Sequence, residues 1–403
     1  MAVPVPLAFP IRPHAVRRRP RALPPKYPYL SIACIAACAV APTFPSAREV
    51  AFRSVMAAFI LLAALRLRQA ATVPLPMQLI GLAFVVACLP AAWARDTEAV
   101  LVPLYYAAFF YAVGGCGFEF AGRESRARRW VLIAGAAALS HAIGIIWRHG
   151  LTIHSSDRTG WNNVGLLAAT AAIASTIEIP KVAAMAVFLP AVYLAIMSGS
   201  RNAVSSVAIG IAAPLIGSGG KLRSAVALAV IISVGVAVYS TAVLTPEVRS
   251  QYFVAERMAR ATSLQATHRE EAWSYWFEIC RENPLGIGFN VHQKFEVGGH
   301  NGWLDIWARG GIPCLLLFLA GQVSLLRRVS RFSRSDRIGA IALGLSLAGT
   351  VQMIFESFPL GGAYGMGTFP YFFIPGIALA NTPFPSRPSG ESRPEARQPE
   401  SRV

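Results

Sequence analysis

The chain has 403 residues, of which 55% are hydrophobic and only 14% charged, against about 25% charged in an ordinary water-soluble domain. That deficit excludes a globular protein folded in water and leaves most of the chain to an apolar solvent. The net charge of +17 would suit a nucleic-acid partner, but the Lys and Arg residues stand in short clusters between apolar runs. This is the pattern of a membrane protein oriented by its cytoplasmic charge, so no nucleic acid is expected.

In chain order, residues 1–27 form a basic, Pro-rich tail with Arg17, Arg18, Arg19 and Arg21. The apolar run after it lacks a convincing cleavage site, so it reads as an uncleaved first helix rather than a signal peptide. Apolar runs follow at 28–44, 50–65, 75–93, 99–117, 130–147, 164–179, 182–198, 203–217 and 222–244, giving nine transmembrane helices over 28–244. A large loop spans 245–302. Three further runs, 303–326, 338–355 and 367–380, make up 303–380, and the Pro, Ser, Glu and Arg of 381–403 read as a disordered tail. Unpaired backbone is too costly in lipid for anything but helices or closed barrels, and alternating strand patterns are absent. The expected fold class is therefore all-α polytopic, with about twelve spans of roughly 20 residues.

Counting positive charge sets the orientation. With the N-terminus in the cytoplasm, 24 of the 37 basic residues fall on the cytoplasmic side, including Lys181, Lys221 and the Arg327–Arg337 cluster. Both tails are then cytoplasmic and the large loop lies outside. Of the six cysteines only Cys280 lies in that loop, so no disulfide framework is implied, and no metal spacing appears.

Few charges remain on the outer side. Arg201 stands among small residues at the mouth between two spans, beside a helix start. There it either snorkels to headgroups or holds an anion such as phosphate. In the large loop, residues 267–282 read as an amphipathic helix stopped by Asn283-Pro284. Arg269, Trp273, Trp276 and Cys280, at i, i+4, i+7 and i+11, share one face, where an Arg serves either a cation–π contact or a buried anion. Asn283-Pro-Leu-Gly286-Ile-Gly288 reads as a sharp chain reversal, since the Lys of a phosphate loop is missing. His300 stands at the membrane surface just before the next helix. A lone His is usually a hydrogen-bonding residue, yet a neutral imidazole there is also a natural general base near neutral pH. Asp305 and Arg309 are i, i+4 on that helix and are spaced to pair, which would explain an Arg inside a span. Arg53, Arg158 and Glu356 are further charges whose part in a site the sequence leaves open.

Several segments together resemble the O-antigen ligase and polymerase superfamily of bacterial envelope proteins. They are Ser200-Arg201-Asn202-Ala203 at a helix start, Arg269-x-x-x-Trp273 in a loop helix, Asn283-Pro-Leu-Gly-Ile-Gly288, and His300-Asn301 leading into a span with Gly310-Gly311-Ile312. The resemblance covers roughly 197–319 and the layout of many spans with one large loop. It implies a multi-spanning, lipid-linked-donor (GT-C-like) glycosyltransferase fold in the cell inner membrane, with a periplasmic active site. It further implies transfer of a glycan from undecaprenyl-diphosphate to an acceptor, for a ligase a lipid A–core sugar, with no metal or other cofactor. On it, Arg201 and Arg269 correspond to diphosphate-binding arginines and His300 to the proposed catalytic base. Asn301, Trp273, Asp305 and Arg309 are candidates for supporting roles. No paired carboxylates suggest a covalent intermediate, so a single inverting displacement is expected. The modest length and single loop look more like a ligase than a polymerase joining carrier-linked repeats. A transporter or flippase would show charged or broken helices at the midplane and repeated halves, and neither is evident.

Overall fold

The computed structural model describes residues 73–93, 97–119, 124–152, 158–178, 181–216, 269–289, 301–333, 336–356 and 369–380, with isolated positions between 54 and 65. Both tails, the spans expected at 28–44 and 222–244, most of that at 50–65, and His300 lie outside the described residues. Every apolar run that is described is helical, and no strand occurs among the described residues. The helices are α1 (Leu75–Val86), α2 (Cys88–Trp93), α3 (Thr97–Glu119), α4 (Glu124–His149), α5 (Arg158–Ser175), α6 (Val182–Met197) and α7 (Arg201–Ile216). After them come α8 (Arg269–Glu282) in the large loop, α9 (Gly302–Phe332), α10 (Arg337–Phe355) and α11 (Phe369–Ala380).

Several expected boundaries differ; the run at 130–147 is helical from Glu124 and that at 303–326 continues to Phe332. The run at 75–93 is broken at Ala87 into α1 and α2, because Pro90 lacks an N–H and its ring crowds the carbonyl of Val86 one turn earlier. Helix α5 starts at Arg158 rather than 164. Asn162 and Asn163 interrupt the apolar pattern, but Trp161 is buried against Leu139, Ala142 and Leu151 of α4 and the turn after it, and the helix extends to include it.

Helix α5 is the inner post of the bundle. From Leu167 through Ser175 every side chain is buried, and most are alanines. Small residues let neighbouring helices approach closely, which is how helices associate where lipid removes the hydrophobic drive between them. The same device recurs at α7 and α10, where a Cβ on Gly344 would come 3.1 Å from the carbonyl carbon of Gly210. A second cluster is aromatic: Phe84, Tyr106, Phe110, Phe318 and Phe372 interlock α1, α3, α9 and α11, with Phe110 and Phe372 centroids 4.4 Å apart.

Apolar side chains also cover the outside. Trp93 and Trp147, each 85% exposed, end α2 and α4, and Leu89, Leu189 and Leu316 are more than half exposed. Among the described residues three helices, Ser125–His149, Gly302–Phe332 and Arg337–Ile354, are long and apolar enough to cross a membrane, and five shorter helices are apolar as well. Such a surface is costly in water and natural in lipid.

Polar contacts tie the bundle inside and at both ends. Within it, Gln352 of α10 donates to the Ser206 hydroxyl of α7 and to Tyr371 of α11. At one end Arg337 donates to the Thr176 carbonyl at 2.7 Å, satisfying an orphan acceptor where α5 runs out, and Lys181 pairs with Glu178. At the other end Asn162 donates to Glu356 and Asn301 to the Ile354 carbonyl. Ser206 lies in the second turn of α7 and Gln352 in the last turn of α10, so the starts of α5, α7 and α9 meet the finish of α10 there.

Candidate functional site at the loop-bearing end

Helix α9 begins on a formal cap. The Asn301 Oδ1 accepts from the backbone N–H of Trp303 (3.0 Å) and Leu304 (3.1 Å), and its Nδ2 donates to Ile354 at 3.2 Å. One side chain thereby neutralises two orphan donors of the helix start and clamps the exit of the large loop to the end of α10. His300 is the residue immediately before this cap.

Helix α8 lies across the first turns of α9. Trp276 and Cys280 are fully buried with Ala308, flanked by Ile287, Leu304 and Trp307. The Cys280 thiol donates to the Leu304 carbonyl at 3.7 Å, and Phe277 meets Trp307 edge-on. The buried stripe is Ala272, Trp276, Ile279 and Cys280. This rotates the expected face slightly: Trp273 stands at its edge rather than in its centre. Burial, with the Asp305 charge second, pushes the Cys280 thiol up to about 12. Arg269 opens α8 one turn before Trp273, and its side chain lies outside the described residues.

The turn after α8 docks into a break in α9. Gly311, at φ 78° and ψ 176°, parts α9 into an outer segment from Gly302 and a long inner one. The carbonyls of Ala308 and Arg309 freed by this break accept from Ile287 (2.7 Å) and Gly288 (3.1 Å), and Ile312 donates to Pro284 (2.8 Å). Pro313 falls in the first turn of the inner segment, where its missing N–H costs nothing. The approach is so close that a Cβ on Gly286 would stand 2.6 Å from the Gly311 nitrogen. The two glycine motifs are thus halves of one joint.

That joint corrects the reading of Arg309. The residue lies in the outer segment ahead of the break, and its guanidinium stands 5.5 Å from the centre of the Phe289 ring. The i, i+4 bond to Asp305 is not made: Asp305 is fully buried and neither carboxylate oxygen has a hydrogen-bond partner. Docking of the 283–289 turn delivers Phe289 to Arg309, a contact that spacing within one helix does not reveal.

Arg201 opens α7, and Arg158 opens α5; both side chains lie outside the described residues. Next to Arg201, Asn202 is 6% exposed and neither amide atom has a hydrogen-bond partner. A buried amide left open at a helix start, where donors point outward, suits an anionic ligand. In the sequence Asn202 is overshadowed by the adjacent Arg201, and the partner of Glu356, Asn162, is remote in the chain. Among the described residues no group of His, Cys, Asp and Glu gathers as a metal site.

A bundle of apolar helices with a loop helix fastened over one end, where several helix starts converge, defines an integral membrane protein. Residues 186–319 match the family model described as O-antigen ligase. This segment runs from within α6 to within α9, contains Arg201, Arg269 and His300, and bears out the resemblance to the O-antigen ligase and polymerase superfamily. No curated protein matches the chain.

Proposed function

We propose that the protein is an O-antigen ligase of the bacterial inner membrane, moving a glycan from undecaprenyl-diphosphate to a lipid A–core sugar on the periplasmic face. The observation that carries this reading is the O-antigen ligase match over 186–319, which spans all three candidate residues. The convergence of the α7 and α9 starts, with the unpartnered Asn202 amide beside Arg201, supports an anion at that end. The reading includes an arrangement of about twelve spans in a GT-C-like fold, a large periplasmic loop over 245–302, and both tails in the cytoplasm.

In this mechanism Arg201 and Arg269 hold the diphosphate and stabilise the charge that grows on it as the bond from the anomeric carbon to the phosphate oxygen breaks. The acceptor hydroxyl forms the new bond to that carbon from the opposite face, with inversion. His300 takes the hydroxyl proton, and the electron pair of the broken bond leaves with the diphosphate. Asn301 and the docked α8 act by fixing where His300 and Arg269 stand.

The test is reconstitution with an undecaprenyl-diphosphate-linked glycan and either lipid A–core or further donor. Product on lipid A–core is expected, whereas lengthened carrier-linked chains would instead make the protein a polymerase. Arg201→Ala and His300→Ala should each lower transfer by about 100-fold or more, the usual scale for losing a charge stabiliser or general base. Full activity in His300→Ala would remove it from the base role.

A further inference from the structure

We infer that the cleft between α8 and the start of α9 is a saccharide-binding subsite, which takes a sugar ring of the glycan or of its acceptor beside the reacting centre. This rests on the transferase reading. The cleft has a volume of about 670 Å³ and is walled by Trp273, Tyr275, Phe277, Glu278 and Trp303, with Ser274 at its side. That size is in the range of small-molecule sites. Tyr275 and Phe277 are 47% and 49% exposed, an unusual investment of aromatic surface on a loop helix whose opposite face is already fully packed.

The chemistry of the walls selects the occupant. Aromatic faces carry negative π density and attract the polarised C–H bonds of a pyranose face, while ring hydroxyls need acceptors and donors at the rim. Glu278 provides one: its Oε2 pairs with Arg281 at 2.8 Å, which leaves Oε1 to accept from a hydroxyl. The Ser274 hydroxyl adds a second polar group. Among the described residues no Lys or Arg lines the cleft to counter the charge of a diphosphate, so this is not the phosphate subsite. A polyprenyl chain would leave that carboxylate facing hydrocarbon without compensation. A neutral, hydroxyl-rich ring satisfies both the aromatic and the acidic walls. Position agrees with this role, since Asn301 also lines the cleft and follows His300 directly in the chain.

The experiment uses the full chain in lipid nanodiscs and, as probe, the lipid-free oligosaccharide released by mild acid from the host's own lipopolysaccharide. Because Trp273 and Trp303 wall the cleft, binding should change tryptophan emission saturably. Tyr275→Ala and Glu278→Gln replace half-exposed side chains and should preserve folding, checked by an unchanged melting profile. Each is expected to weaken binding by about five- to tenfold, the scale of one lost aromatic or hydrogen-bond contact. The same variants should raise KM for the saccharide substrate far more than they lower kcat. Equal affinity in wild type and both variants would overturn the subsite. So would displacement of the probe by a polyprenyl phosphate that carries no sugar. Variant-sensitive probe binding in a protein that transfers nothing would refute the transferase reading alone, and active transfer with KM unchanged in both variants would refute the subsite alone.

Discussion

Asn301 uses both ends of its amide, accepting from two N–H groups of α9 and donating to Ile354 of α10. Asn301→Ala should therefore cost about 1–2 kcal/mol, read as a lower melting temperature in detergent, and should lower transfer as well. Asn301→Asp keeps the cap and loses the bond to Ile354, so its loss of stability should be smaller. Cys280 allows a test by pH. Its thiol is raised in the folded protein to about 12, whereas in the unfolded chain it titrates near the ordinary 9.0. The stabilisation is fully present below pH 9 and fades as pH rises from 9 towards 12, because the unfolded chain then releases the proton first. Alkaline solution should loosen α8, and Cys280→Ser or Cys280→Ala should flatten that part of the pH profile of melting. A profile unchanged by either substitution would show that Cys280 is not the titrating group.

The joint between the 283–289 turn and the break in α9 is the feature at the element scale. Gly286 and Gly311 both have positive φ, and a Cβ on Gly286 would stand 2.6 Å from the Gly311 nitrogen while one on Gly311 would stand 2.8 Å from the Leu285 Cα. Gly286→Ala and Gly311→Ala should each destabilise by about 2 kcal/mol or more, combining backbone strain with a steric clash. Since the joint aligns α8 over α9, limited proteolysis should cut within 269–289 sooner in either variant. Equal cleavage rates in variant and wild type would show that the docking does not hold α8 in place. The loop helix offered a legible signal in sequence, and its expected stop at Asn283-Pro284 agrees with α8 ending at Glu282. Its partner surface was not legible, because the freed carbonyls of Ala308 and Arg309 exist only once Gly311 leaves the helix.

For the whole molecule, the orientation proposed from Lys and Arg can be tested directly. Ser263→Cys lies in the proposed outer loop and Arg334→Cys in the proposed inner one. In spheroplasts of a variant lacking the native cysteines, an impermeant maleimide should label the first and spare the second. The reverse result would invert the topology and place the candidate site in the cytoplasm. The two ends of the bundle that this test would assign hold Lys181 and Arg337 at one and Asn162, Asn301 and Glu356 at the other.

The sequence by itself determined that the chain folds in lipid and that its described elements are helices. Those properties follow from summed hydropathy, backbone hydrogen bonding and the placement of Lys and Arg, which need no knowledge of which helix touches which. Only the tertiary structure decided the partners: Arg309 over Phe289 instead of on Asp305, Asn301 clamped to Ile354, and the Gly286 turn seated in the break at Gly311. Each of these joins segments distant in the chain or depends on a local departure from helix, and spacing along a single helix carries no information about either.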